Sequence, residues 1–187
     1  MGDLLGLFYL FLIFPLSLPL FYLYIITYIR NNTRKMRLSK NFVLSEITRS
    51  NAAKRLGIKN EPSKKHLQNI KNIIINLIQP MRNALGPIRI SSGYRNPNVN
   101  RAINGSRKSQ HCKGEALDLQ FWSDGEISNK EIYDWVLSSD VEFDQMINEF
   151  DFSWIHISFK EKGNRKQVLE AYKDEDNDTV YKYANIS

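Results

Sequence analysis

Apolar residues recur at three- and four-residue intervals from Leu67 through Ile70, Ile73, Ile74, Leu77 and Ile78 to Met81, with Lys and Asn filling the positions between them. That spacing predicts a helix with one buried and one solvated face, and it assigns the apolar residues to the core. Ser63 stands where an N-cap belongs, Pro80 should kink or end the helix because it lacks an N–H, and Gly86 followed by Pro87 ends the segment. Residues 88–92 then alternate as a strand. A second helix is expected from Ser128 to Leu137, with Ile132, Trp135 and Val136 as its buried stripe. Phe143 to Glu149 and Trp154 to Phe159 read as two short strands around a tight connection. Gln167 to Tyr172 and Thr179 to Tyr183 read as two more, around an acidic turn at Lys173 to Asp178, and their expected role is structural.

The N-terminal pattern is different in kind. No charge occurs from Leu4 to Ile29, and these 26 residues, at about 1.5 Å each in a helix, are long enough to cross a hydrocarbon core of about 30 Å. A cleaved signal peptide fits less well, since Asp3 is the one early charge and no small-residue cleavage site follows. Arg30, Arg34, Lys35, Arg37 and Lys40 come after the stretch, and the positive-inside tendency would leave the following domain on the cytoplasmic side. Against a span stand Pro15 and Pro19, and Met36 opens a run that reads as a natural domain start. Two readings therefore stand: a membrane anchor, or a misplaced start with residues 1–35 outside the functional protein. Either way the expected division is an apolar segment and basic linker at 1–35 and one domain at 36–187.

The chain has 187 residues, and the roughly 150 that follow the leader suit a single domain with its own core. Hydrophobic residues make up 42% and charged residues 25%, which excludes a disordered or fibrous class. A net charge of +6 favours an anionic partner. The basic residues are dispersed, with no Cys/His finger and no helix-turn-helix pattern, so nucleic-acid binding is not expected. The single cysteine, Cys112, excludes an internal disulfide and a multi-Cys metal site. Its neighbour His111 should point away from it on an extended segment, and no second base is evident, so a buried, inert thiol is expected. His66, among lysines, is expected to be a solvated surface residue.

Chemistry concentrates between Ser91 and Leu119. His111 and Asp118 stand seven positions apart, and on one unbroken strand that odd separation would put them on opposite faces. Both can face one ion only if the chain turns between them, which Gly114 permits. His156 joins them to give a nitrogen, nitrogen, oxygen ligand set, which suits zinc with one coordination position left open.

Three segments then carry a resemblance: Ser92 to Arg95 (Ser-Gly-Tyr-Arg), Ser109 to Asp118 (Ser-Gln-His-Cys-Lys-Gly-Glu-Ala-Leu-Asp) and Trp154 to Ser158 (Trp-Ile-His-Ile-Ser). Together with the opening run Ser39 to Glu46, they resemble the zinc D-alanyl-D-alanine carboxypeptidases and the L-alanyl-D-glutamate endopeptidases of phage endolysins, across roughly Leu38 to Tyr172. The resemblance implies an α+β fold of the D-Ala-D-Ala carboxypeptidase/hedgehog-like type, with a small antiparallel sheet carrying the zinc site on one face and helices on the other. It implies Zn2+ as cofactor with His111, Asp118 and His156 as ligands. It implies Arg95 as the residue that binds substrate or stabilises the oxyanion, and Ser109 as a substrate-binding or turn-holding residue.

The general base departs from the family pattern. Many relatives carry an acidic residue three positions before the second histidine, where this chain has Ser153. Glu149 and Asp151 are the candidates, and a hairpin centred on Asp151 and Phe152 would pair Glu149 with Trp154 and Ile147 with His156. Glu149 would then lie diagonal to His156 on one face, about 7–8 Å away along the backbone, within reach of an attacking water without ligating the metal. Asp151 would sit in the turn, where Asp is expected for backbone reasons.

The expected protein is a monomeric metallopeptidase acting on peptidoglycan stem peptides, membrane-anchored or wall-associated if the leader is real and otherwise soluble. The bond cut is left open between the two relatives. The rival is a zinc-stabilised wall-binding module that does not cleave.

Overall fold

The apolar stripe from Ile70 to Met81 is buried in a computed structural model that describes residues 22–28, 36–123 and 126–185. Ile70, Ile73, Ile74, Leu77, Ile78 and Met81 are all buried to 1% exposure or less. The chain divides into two units, Met1–Met36 and Arg37–Ser187. In the first, residues 22–28 form helix α1, in which the rings of Tyr24 and Tyr28 stack and Thr27 Oγ1 donates to the Leu23 carbonyl. The rest of the apolar stretch read as a membrane span lies outside the described residues. Among the described residues, no helix is long and apolar enough to cross a membrane.

In the second unit, helices α2 (Leu44–Thr48) and α3 (Asn51–Leu56) precede the long buried helix. That helix begins as α4 (Lys64–Ile73), where the Ser63 side chain accepts from the His66 N–H as an N-cap should. It then widens into a π turn at Ile74–Ile78 and continues as α5 (Gln79–Leu85). Pro80 therefore does not end the helix, one of the two outcomes, kink or end, that the sequence allowed. The wider π turn ahead of it gives the backbone slack around the proline ring and the missing N–H. The stop comes at Gly86, where φ is 100°.

Strand β1 (Ile88–Ser92) is followed by α6 (Pro97–Ala102), a 3-10 turn at Gln110–Lys113, β2 (Ala116–Ser123), the two-residue β3 (Glu126–Ile127) and α7 (Asn129–Ser138). β4 (Gln145–Glu149), β5 (Trp154–Ser158), β6 (Gln167–Lys173) and β7 (Thr179–Tyr183) complete the sheet. Its order is β1-β2-β5-β4-β6-β7, with β3 paired to β2 off that path. The expectation of a wholly antiparallel sheet is corrected here, because β4 and β6 pair in parallel. After the β4–β5 hairpin the chain crosses back to the far side of β4, so β6 starts at the same end as β4. Asp144 pins that crossover: it is fully buried, accepts from Arg165 at 2.6 and 2.9 Å, and lies 2.7 Å from Lys160 Nζ.

Alternation sorts the sheet into two faces. Leu119 pairs with Ile90 and Ile155, and these three are buried on the inner face. α7 packs against β2 and β5, with Ile132 and Val136 buried as expected and Trp135 half-buried. The outer face carries Asp118 opposite His156, His156 opposite Ile147, and Ile147 opposite Leu169. One step along, Trp154, Glu149, Ala171 and Tyr181 form a second row on that face.

Between β4 and β5, Phe150, Asp151 and Phe152 all adopt left-handed backbone, at φ of 49°, 53° and 59°. Such a conformation costs roughly 1 kcal/mol or more per non-glycine residue. Local bonds offset it: the Phe152 N–H donates to Asn148 Oδ1, the Ser153 N–H to the Glu149 carbonyl, and Asn129 Nδ2 to the Phe152 and Ser153 carbonyls.

Candidate metal centre

The turn expected between His111 and Asp118 exists. The 3-10 turn at Gln110–Lys113 ends on Gly114, at φ 72°, and β2 then carries Asp118 back towards His111. A side chain at Gly114 would be strained by φ and would also meet the His66 carbonyl oxygen at 2.6 Å. His156 arrives on β5, directly opposite Asp118.

These three side chains converge. His111 Nε2 lies 3.2 Å from Asp118 Oδ1 and 3.2 Å from His156 Nδ1, and His156 Nδ1 lies 2.9 Å from Asp118 Oδ1. They form a group able to hold a metal ion. Ligands about 2.0–2.2 Å from a tetrahedral ion stand roughly 3.3–3.6 Å from one another, close to the edges of this triangle.

The protons point the same way. His111 Nδ1 lies 2.8 Å from the Gly93 carbonyl, which can only accept, so Nδ1 carries the hydrogen and a neutral ring presents a lone pair at Nε2. Burial lowers the His111 pKa, although Asp118 pulls it upward, so the neutral ring is favoured. His156 Nδ1 lies within hydrogen-bond distance of both other atoms, so at most one proton, on that nitrogen, could serve the converging lone pairs of His111 and Asp118. A cation satisfies all of these atoms at once, so the donor set fits a metal. Asp118 is anionic here: burial opposes ionisation, but His111 and His156 hold its carboxyl well below the usual carboxylate range.

Glu149 lies at the end of β4, paired with Trp154 as the hairpin register required, with Ile147 opposite His156. Its carboxylate is buried, and burial pushes its pKa up to about 7, with the charge of Asp118 adding to the rise and His156 opposing it. Asp151 is exposed in the turn, as expected. Arg95 places NH2 3.6 Å from Asp118 Oδ2, so the two carboxylate oxygens face different partners. The Arg95 Nε is buried without a hydrogen-bond partner.

A cleft of about 580 Å³ opens over these residues. Arg95, Ser109, His111, Asp118, Glu149 and His156 all line it. Ser109 makes no side-chain cap to the 3-10 turn, which leaves its hydroxyl for the cleft. Cys112 is half-buried rather than buried, and burial raises its thiol pKa, which disfavours a thiolate nucleophile. His66 is also not a free surface residue, because its Nδ1 lies 3.3 Å from the Tyr94 hydroxyl.

Two features lay outside the sequence reading. Leu169, Thr179 and Tyr181, from strands assigned a structural role, line the cleft. Pattern alone places Leu169 and Ala171 on one face, but only the parallel pairing of β6 with β4 brings that face to Glu149. Asp144 also anchors the site at a distance, since Gln110, the residue before His111, donates its Nε2–H to Asp144 Oδ2 at 3.0 Å. A fully buried Asp with basic partners far along the chain leaves no local signal.

The family model described as Peptidase M15 matches residues 40–158, a span that holds Arg95, His111, Asp118, Glu149 and His156. No curated protein matches the chain.

Proposed function

The chain belongs to the Peptidase M15 family, and from that premise we propose that it is a zinc peptidase cleaving an amide bond in the stem peptides of bacterial peptidoglycan. The observation that carries this reading is the convergence of His111 Nε2, His156 Nδ1 and Asp118 Oδ1 on one point in the floor of a cleft, within the matched span. These three residues would hold the ion, and residues 36–187 would be the catalytic domain.

When bound, zinc would supply a Lewis acid that polarises a carbonyl and acidifies water. The rest is work for the chain's own groups. Glu149, buried beside the triad with a pKa near neutrality, takes a proton from the attacking water and delivers it to the leaving amine. In the metal-free fold burial raises the affinity of this carboxylate for a proton, and the step requires the group to accept and then release the same proton. Arg95, which lines the cleft beside Asp118, donates to the oxygen that becomes negative as the carbonyl turns tetrahedral. Ser109 presents a hydroxyl to the bound peptide. The His111 ring is held by the Gly93 carbonyl, so its orientation does not have to be found during turnover.

Digestion of purified peptidoglycan with and without a chelator tests this reading, with products identified by mass spectrometry. The expected result is new peptide termini that vanish on chelation and return with zinc. Unchanged peptidoglycan in every condition refutes the substrate, and cleavage indifferent to the chelator refutes the metal.

A further inference from the structure

Arg95 stands in the connection of residues 93–96 between β1 and α6, where neither a strand nor a helix fixes its backbone. Such a connection keeps one conformation only as far as its polar backbone groups find partners elsewhere in the fold. Three of these groups do so beside His111: the Tyr94 N–H donates to the Ile47 carbonyl, the Arg95 N–H donates to the His111 carbonyl, and the Gly93 carbonyl faces His111 Nδ1. Two more, the Tyr94 carbonyl and the Asn96 N–H, stand immediately before and after Arg95, and both are held by one side chain.

That side chain is Asn60, half-buried in the segment between α3 and α4. Its Nδ2 donates to the Tyr94 carbonyl at 2.8 Å, and its Oδ1 accepts from the Asn96 N–H at 2.7 Å. Nδ2 also donates, at 2.8 Å, to the carbonyl of Thr48, the last residue of α2. A carbonyl at a helix C-terminus has no partner within its own helix, so this third bond locates the amide without disturbing α2. Two donors and an acceptor on one planar head are what a carboxamide supplies, and all three are used. An Asp of the same shape would keep the acceptor for Asn96 and set a negative oxygen against two carbonyls.

We propose that Asn60 is a positioning residue for Arg95: by bridging the backbone on both sides of the arginine, it sets where the guanidinium lies beside Asp118 in the cleft. Asn60 does not line the cleft itself, whereas Arg95 does, so its influence on a bound peptide passes through Arg95. The proposal rests on the peptidase reading, in which Arg95 meets the oxygen that becomes negative. A donor in that role depends on its placement, and a displacement of about 1 Å can cost about 100-fold in rate.

The test uses the full chain with zinc, a soluble synthetic stem peptide as substrate, and four proteins that form a cycle: unsubstituted, N60A, R95A and N60A/R95A. N60A should lower kcat about 10–100-fold while zinc affinity, read by chelator competition, stays within about twofold. In the R95A background the same substitution should change kcat by less than about twofold, because nothing remains for it to position. N60D, which keeps one bond of three, should fall with N60A. A second readout needs no turnover: the Arg95 Nε–H is buried, and its exchange with solvent, followed by NMR in the metal-free protein, should quicken about tenfold or more in N60A and N60D. Losses that multiply in the double variant overturn the proposal, as does full activity in N60D or unchanged exchange at Arg95 Nε. Where N60A does not fold or R95A is too slow to measure, N60D and the exchange rate decide. Absence of hydrolysis by the unsubstituted protein, or an R95A variant as active as it, would refute the reading of the site, and exchange would still decide whether Asn60 holds Arg95.

Discussion

The Gly93 carbonyl oxygen sits 2.8 Å from His111 Nδ1, and this contact decides which nitrogen of the ring faces the triad. Gly93 has no room for a side chain, since a Cβ there would meet the Ile47 carbonyl oxygen at 2.3 Å. Gly93→Ala must therefore displace the backbone that orients His111. Losing such an outer contact typically weakens a metal site about 10–100-fold. Competition with a calibrated chelator measures this, and unchanged affinity in a folded variant would show that the contact does not orient the ring.

Removing a ligand has a harder consequence. His111→Ala and Asp118→Ala each leave two donors, and both should lose stoichiometric zinc and peptidase activity together. In the intact protein, chelation should lower Tm and zinc should restore it, because an ion bound only by the folded state stabilises that state. A variant that hydrolyses substrate without retaining metal would contradict the assignment.

Glu149 offers a prediction with a sign. Its pKa is about 7 in the metal-free fold against 4.5 for an ordinary glutamate, so the folded state prefers the protonated form. Ionising it takes away stability progressively as pH rises from about 4.5 to 7, up to roughly 3 kcal/mol. Glu149→Gln carries no such proton. Without metal, E149Q should therefore gain stability relative to the unsubstituted protein between pH 5 and pH 8, as read by urea unfolding. With zinc, it should keep the metal and lose about 10²–10⁴ in kcat. A parallel pH dependence of the two proteins would remove Glu149 from its assigned place.

Asp144 behaves in the opposite sense. It is fully buried, and although burial opposes its charge, Arg165, Lys160 and Gln110 hold its carboxyl well below the usual range. A depressed pKa contributes stability above about pH 4 that is lost as pH falls. Asp144→Ala leaves Lys160 and Arg165 without their partner and Gln110 without its acceptor. Because Lys160 and Arg165 both reach solvent, the expected cost is that of lost hydrogen bonds, roughly 1–3 kcal/mol. Because Gln110 precedes His111, zinc affinity should fall as well, so thermal unfolding and metal titration should both respond.

How far the sequence could be read follows from how local each determinant is. The hairpin that pairs Ile147 with His156 and Glu149 with Trp154 was legible because a short connection fixes register within a dozen residues. The turn at Gly114 was legible for the same reason. Of the two outcomes Pro80 allowed, a kink or an end, the end did not occur, because the helix passes through a π turn and continues, and nothing in the apolar periodicity distinguishes a π turn from an α turn. The parallel pairing of β4 with β6 depends on a crossover secured by Asp144, Lys160 and Arg165, which no local pattern announces. Tyr181 was therefore assigned to a structural hairpin when it belongs to the wall of the cleft.

That wall yields the last prediction. Ile147 on β4 stands opposite Leu169 on β6, and Glu149 opposite Ala171, which is itself opposite Tyr181 on β7. Ala171 is small, so nothing bulky in that row separates the phenol ring from the carboxylate, and burial together with the charges of Glu149 and Asp118 raises the Tyr181 pKa. Its hydroxyl therefore stays protonated through the neutral range and can donate to a bound peptide. Tyr181 is 52% exposed, so its removal should cost the fold little. Tyr181→Ala should raise KM about three- to tenfold with Tm nearly unchanged, from lost ring contact and a lost donor. Tyr181→Phe keeps the ring and separates the two effects: recovery of KM assigns them to contact, and failure to recover assigns them to the hydroxyl. If neither substitution moves KM or kcat, the peptide does not extend to β7.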